Sequence, residues 1–146
     1  MAANDSSTLR ELLRVLVRHL GILEKSEAGC CGVSLAQCHA IVEIGRRGTI
    51  NLNDLADLLD VDKSTMSRTI NNLVESGMAA RDLDRGDRRY VVIRLTENGH
   101  RFFESTEASM ERYFQTVLGR IPQDKREQVL ESLSLLTAAL HHEKCC

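Results

Sequence analysis

Apolar residues recur every three or four positions near both ends of the chain, which predicts long amphipathic helices there. The first is expected over about residues 5–27, with Thr8 and Glu11 as a capping box at its start. Beyond residue 96 the same spacing predicts a long helix to about Leu118, and a further helix after Pro122. These C-terminal helices hold all three phenylalanines, so we expect them to form an apolar surface.

Shorter elements are predicted between the two ends. A second helix is expected over residues 34–46, with Leu35 and Cys38 on or near its inner face. Asn51 and Asp62 each precede a short helix as an N-cap, and the close spacing of these two helices indicates a helix-turn-helix. Strands over 79–83 and 89–95 flank a polar loop, as in a β-hairpin wing. The predicted fold class is therefore mainly α with a small β-wing.

The helix that follows Asp62 has an unusual polar face. Its apolar side carries residues such as Met66 and Ile70, while the opposite side presents hydroxyls, amides and an arginine, with no acid between Lys63 and Val74. Such groups donate to phosphates and read base edges in the major groove, and the first turn offers a helix N-terminus to phosphate. A merely exposed polar face is the alternative. The candidate DNA contacts on this helix are Ser64, Thr65, Ser67, Arg68, Asn71 and Asn72.

The charge distribution favours DNA although the chain as a whole carries a net charge of −2. Residues 63–94 contain seven basic and four acidic side chains, so this segment is positive. Arg85, Arg88 and Arg89 lie in the loop between the predicted strands, where an arginine tip suits the narrow, electronegative minor groove. We expect Asp87 to hold one of these guanidinium groups in a bidentate pair and to leave the others for DNA.

Five short segments, given below in chain order, resemble the MarR family of bacterial winged helix-turn-helix transcriptional regulators. The resemblance runs over about residues 8–142 and implies a single MarR-like domain, with dimerisation helices about 5–27 and 96–143 and a winged helix-turn-helix about 34–95. It also implies a triangular homodimer, palindromic double-stranded DNA and, usually, repression that a ligand relieves. It further implies that the major groove receives Ser64, Thr65, Ser67 and Arg68, and that the minor groove receives Arg88 or Arg89. The matching segments are Asn53-Asp54-Leu55-Ala56, Ser64-Thr65-Met66-Ser67-Arg68, Leu73-Val74-Glu75-Ser76-Gly77, Asp87-Arg88-Arg89 and Leu95-Thr96-Glu97-Asn98-Gly99.

The five cysteines are grouped rather than scattered. Cys30 and Cys31 stand between two glycines, which predicts an adaptable loop between the first two helices, and Cys38 is followed by His39. Adjacent thiols can chelate a soft metal or metalloid together with Cys38 or His39. Thiol oxidation is one alternative, and purely structural cysteines with an unrelated organic effector are another. The chain ends in Cys145 and Cys146, which either join this site or have no role in it.

Zinc-sensing MarR proteins have ligands in this loop and second helix, and His39 resembles one of those positions. They add histidines from the long fifth helix, whereas this chain offers Glu104, Glu107 and Met110 there. The lack of these histidines favours a soft, thiol-binding effector over zinc. No cofactor is expected to be required.

Other classes of protein are disfavoured. The chain contains no Gly-rich phosphate loop, no Gly-x-Ser-x-Gly and no Cys-x-x-Cys, so we do not expect an enzyme. Cys38 and His39 are helical neighbours whose side chains diverge by about 100°, too far for a nucleophile–base pair. No apolar run or signal peptide points to a membrane, which predicts a cytoplasmic protein. A DNA-free adaptor remains the alternative class, against which the arginine wing argues.

Overall fold

A computed structural model describes the backbone of residues 2–31 and 33–143, and the side chains of residues 4–21 and 33–143. The predicted fold class is confirmed: the chain is mainly helical and has one small antiparallel sheet. Among the described residues, no helix is both long and apolar enough to cross a membrane. The elements are α1 (Ala2–Cys31), α2 (Leu35–Arg47), β1 (Thr49–Asn51), α3 (Leu52–Leu58), α4 (Lys63–Glu75), β2 (Ala79–Leu83), β3 (Val91–Leu95), α5 (Glu97–Gly119), a 3-10 turn (Gln123–Lys125) and α6 (Arg126–His142).

Both predicted ends of α1 are wrong. The helix already begins at Ala2, and Thr8 lies inside it, where its hydroxyl donates to the Asn4 carbonyl at 2.8 Å instead of capping a helix start. The helix also continues to Cys31, so the backbone of Cys30 and Cys31 belongs to its last turn and not to a glycine-flanked loop. A glycine inside a helix costs only about 1 kcal/mol relative to alanine, which good helix formers before it can outweigh.

The sheet has the order β1-β3-β2, with both neighbours antiparallel to β3. The sequence did not predict β1, a three-residue strand that pairs Ile50 with Ile93. The third strand starts at Val91 and not at residue 89, because the Tyr90 amide donates to the Asp87 carbonyl at 3.1 Å and closes a turn.

The contacts divide the chain into two compact units, Met1–Phe103 and Glu104–Cys146. The core of the first unit joins α2, α3, α4 and the sheet, and it positions the helix-turn-helix. Leu35, which we predicted on the inner side of α2, is instead exposed. The largest fully buried side chains of this core are Ile41, Ile44, Leu55, Ile70, Leu73 and Ile93.

The segment Leu95–Gly99 forms the corner between β3 and α5. The Thr96 hydroxyl donates to the Gly77 carbonyl at 2.5 Å and accepts from the Gly99 amide at 3.2 Å, so it joins the end of α4 to the start of α5. Gly99 is buried, and a Cβ placed on it would lie 2.0 Å from the carbonyl oxygen of Met78. The corner therefore requires a residue without a side chain at position 99.

We expect Gly99→Ala to lower the free energy of unfolding by about 1–3 kcal/mol, the usual cost of overpacking a buried site. The clash is with backbone, which cannot move aside as a flexible side chain can. Urea unfolding of the variant measures the effect. Gly119→Ala is the matched control in the same helix, because its Cβ would meet nothing within 4 Å. Equal stability of the two variants would refute this account of the corner.

The second unit consists of the rest of α5, the 3-10 turn and α6. Arg126 donates from Nε to the Ile121 carbonyl at 3.1 Å, and the rings of Tyr113 and Phe114 meet edge to face at 5.1 Å. None of its described residues, 104–143, is buried. Its exposed large apolar side chains are Tyr113, Phe114, Val117, Leu130, Leu133, Leu135 and Leu140.

Candidate nucleic-acid interface

The start of α4 is organised by the carboxylate of Asp62. Its Oδ1 accepts from the Thr65 amide at 2.8 Å and from the Ser64 hydroxyl at 2.5 Å, and its Oδ2 accepts from the Thr65 hydroxyl at 2.6 Å. The hydrogen bonds from the Ser64 and Thr65 side chains hold the pKa of Asp62 well below its usual range. The predicted N-cap is confirmed. The carboxylate thus takes the Thr65 amide and both hydroxyl hydrogens, while the phosphate contact expected at this helix start stays a prediction.

The two faces of α4 differ as the sequence indicates. Its inner side buries Met66, Ile70 and Leu73 in the core, while Ser67 and Thr65 are half-buried. The guanidinium of Arg68 lies 3.5 Å from the Thr65 hydroxyl oxygen. The structure thus places the candidate side chains on one accessible face, of which the exposed members are Ser64, Arg68, Asn71 and Asn72.

Arg81 of β2 links the sheet to α4, a role that the sequence analysis missed. It donates from Nη2 to the side-chain oxygen of Asn71. Because a guanidinium has only donors, this bond turns the amide nitrogen of Asn71 away from Arg81. On the same sheet, Arg94 forms an ion pair with Asp82. No local pattern signals either contact, since the partners are ten or more residues apart.

The three arginines at the tip of the wing differ in their contacts, since one is ion-paired and two have no such partner among the described residues. Arg89 donates from Nε to Asp87 Oδ1 at 3.1 Å and from Nη2 to Oδ2 at 2.7 Å, which confirms the predicted bidentate pair. The Arg89 side chain lowers the pKa of Asp87, and Asp87 raises that of Arg89. Within the described part of the chain, the exposed guanidinium groups of Arg85 and Arg88 have no hydrogen-bond or ion-pair partner. They are therefore the cationic groups that the wing leaves available.

The predicted cysteine site is only partly visible. Cys38 is half-buried on α2, and His39 is exposed beside an apolar cavity of 220 Å³ between α2 and α4. Among the described residues there is no group of three or more His, Cys, Asp and Glu side chains that is placed to hold a metal. The side chains of Cys30 and Cys31, and the whole of Cys145 and Cys146, lie outside the described residues, so this site stays a prediction.

The helix-turn-helix and wing correspond to a known family. The chain matches the sequence profile of the MarR family over residues 32–89. It is 27% identical over 142 residues to the uncharacterized HTH-type transcriptional regulator YfiV of Bacillus subtilis (strain 168), covering 95% of this chain and 89% of that protein. The segment 32–89, which holds the helix-turn-helix and much of the wing, is therefore similar to the MarR family. The relatives that the chain matches are named HTH-type transcriptional regulators, which agrees with the expectation of a regulator and not an enzyme.

Other relatives extend the similarity over most of the chain. The HTH-type transcriptional regulator BilQ of Clostridium symbiosum (strain WAL-14163) is 24% identical over 112 residues, 77% of this chain and 78% of BilQ. The structure resembles Streptococcus pneumoniae FabT in complex with DNA, with a TM-score of 0.83, 20% identity and coverage of 95% and 99% of the two chains. It also resembles the DNA complex of S. aureus MepR, with a TM-score of 0.73, 21% identity and coverage of 89% and 96%.

Proposed function

We propose that this protein is a homodimeric repressor that binds palindromic double-stranded DNA, with α4 in the major groove and the wing in the minor groove. The observation that carries the proposal is the accessible polar face of α4 beside a wing whose Arg85 and Arg88 have no partner in the described chain. The arrangement matches what base reading and backbone binding require. Its support from relatives is that FabT and MepR were solved with DNA.

The polar groups of α4 have distinct tasks in this proposal. Arg68 carries a positive charge, Asn71 presents the amide nitrogen that Arg81 leaves uncovered, and Ser67 and Asn72 add donors and acceptors nearby. Such groups distinguish base pairs in the major groove, where each pair shows a different pattern. The charges of Lys63, Arg81 and Arg85 support binding to the phosphates and make it salt-dependent.

A second copy of the chain is the proposed partner of the apolar side chains at both ends. Leu12 and Val17 of α1 are 64% and 66% exposed, and the second unit buries none of its described residues, so both helical regions leave apolar area uncovered in one chain. A single MarR-like domain, with dimerisation helices about 5–27 and 96–143, accounts for this. In a dimer, two copies of α4 can then meet half-sites about 34 Å apart, one turn of B-DNA.

We further propose that a soft metal or metalloid bound at Cys30 and Cys31, with Cys38 or His39, releases the DNA. The backbone of α1 ends at Cys31 and α2 begins at Leu35, so only a short stretch of sequence separates the two helices. Thiolates prefer soft ions. A coupling of about 1–3 kcal/mol between the two sites changes DNA affinity 5- to 150-fold. Thiol oxidation, or an organic effector with structural cysteines, is the alternative.

Fluorescence anisotropy of the reduced protein on its own upstream DNA tests both proposals. We expect an affinity that falls steeply with salt, and its loss when arsenite or cadmium is added. Replacing Cys30 and Cys31 together by Ser should keep the DNA binding and remove the response, while the matched pair Cys145→Ser and Cys146→Ser keeps both. If the variant with Cys30→Ser and Cys31→Ser still releases DNA when the ion is added, the effector binds at another site. If the natural protein does not bind duplex DNA, a DNA-free adaptor is favoured.

A further inference from the structure

The hydroxyl groups at the start of α4 have their hydrogens already committed. Ser64 and Thr65 both donate to the carboxylate of Asp62, at 2.5 and 2.6 Å. A hydroxyl has one hydrogen and two lone pairs, so a serine that donates to Asp62 has only acceptor capacity left for any other partner. Ser64 is exposed and its hydroxyl has no other hydrogen bond within the described chain, whereas the Thr65 hydroxyl is also approached by Arg68.

We propose that Asp62 makes Ser64 an acceptor-only reader of DNA, which selects a base with an exocyclic amino group on one strand. In the major groove the amino groups are N6 of adenine and N4 of cytosine, whereas thymine and guanine present carbonyl oxygens at the corresponding edge. A single acceptor cannot tell adenine from cytosine. We therefore expect one position of each half-site to accept either adenine or cytosine in preference to guanine or thymine.

The same cluster argues against a phosphate at Ser64. A phosphate oxygen needs a donor, and the hydrogen of Ser64 points to Asp62. The ionised carboxylate of Asp62 also repels a second anion, and its low pKa keeps it ionised at neutral pH. Asp62 thus acts as a positioning residue, since it determines what Ser64 recognises without itself bonding to a base.

The inference rests on the proposed function, so the test separates the two. Selection from a library of duplexes with randomised 30-base-pair inserts is carried out with the natural protein, Ser64→Ala, Asp62→Gly and Asp60→Asn. Glycine at an N-cap costs only a few tenths of a kcal/mol relative to aspartate, so Asp62→Gly is expected to fold, which thermal unfolding checks. Asp60, exposed in the turn before α4 with φ of 53°, provides a control that removes the same charge and keeps the Asp62 cluster.

The position read by Ser64 is the one whose preference disappears in Ser64→Ala. In the natural protein and in Asp60→Asn we expect adenine and cytosine there, favoured about fivefold over guanine and thymine, the effect of one hydrogen bond. In Asp62→Gly the hydroxyl is free to donate or accept, so guanine and thymine should be tolerated equally at that position while the others keep their preferences.

Three results would overturn the inference: guanine or thymine at the Ser64 position, no position that responds to Ser64→Ala, or an unchanged preference in Asp62→Gly. In each of these the natural protein still enriches specific sequences, so the proposed DNA binding stands. If the natural protein enriches no sequence at all, the proposed function itself fails.

Discussion

Leu133→Glu is expected to convert the protein from a dimer into a monomer and to weaken binding to a palindromic duplex by about 100-fold or more. Leu133 is 45% exposed in the single chain and lies seven residues before Leu140, which is 53% exposed on the same side of α6. A glutamate there can stay hydrated in the monomer but must lose water in an apolar interface. Joining two DNA-binding modules raises the affinity about 10²- to 10⁴-fold, and the monomer loses this gain.

Sedimentation measures the first effect, since one chain has a mass of 16.4 kDa and the dimer twice that. Leu58→Glu is the matched control, because Leu58 of α3 is exposed to a similar extent, 43%, and lies outside the proposed dimer helices. The control should remain a dimer. Circular dichroism verifies that both variants keep their helices. A dimeric Leu133→Glu protein would show that α6 does not form the interface.

Replacing Arg85 and Arg88 together by alanine is expected to lower DNA affinity by about 100-fold and leave the fold intact. Both side chains are exposed and have no partner in the described chain, so their removal breaks no internal contact. A dimer loses four guanidinium groups in this variant. Each phosphate neutralised contributes about one to the slope of log affinity against log salt, so the slope should fall by up to about four.

Anisotropy titrations at several salt concentrations measure both effects. Arg120→Ala with Lys125→Ala removes the same number of charges from the second unit, which carries none of the proposed DNA contacts. If that control loses as much affinity, overall charge and not the wing explains the result. Asp87→Ala provides a further comparison, because it removes the partner of Arg89. We expect this variant to bind DNA more tightly and less selectively, as a third arginine becomes available at each wing.

Local hydrogen bonds account for the parts of the interface that the sequence predicted. The caps at Asn51 and Asp62 and the pair of Asp87 with Arg89 join residues at most three positions apart. Such contacts depend on short backbone geometry, which the identities of a few neighbouring residues determine. The two-faced pattern of α4 was predictable for the same reason, since helical periodicity assigns its faces without knowledge of the rest of the fold.

The errors arose where local signals compete or are absent. Gly29 and Gly32 suggested a loop, yet the helix continues to Cys31 because a single glycine weakens a helix without ending it. The strand β1 spans only Thr49–Asn51, too short for an alternating pattern, and it exists because β3 supplies its hydrogen bonds. The start of α1 at Ala2 was missed because Thr8 and Glu11 have cap-like spacing inside a helix.

The sequence by itself determined the class of fold, the position of α4 and the wing, and the candidate DNA-contacting side chains, because these follow from periodicity and short-range caps. Only the tertiary structure decided which of those side chains are available. It orients Asn71 through a hydrogen bond from Arg81, ten residues away. It also makes glycine necessary at position 99, because the Met78 carbonyl leaves no room for a side chain there. Contacts between distant residues arise only when the packed core brings their elements together, so no local pattern reveals them.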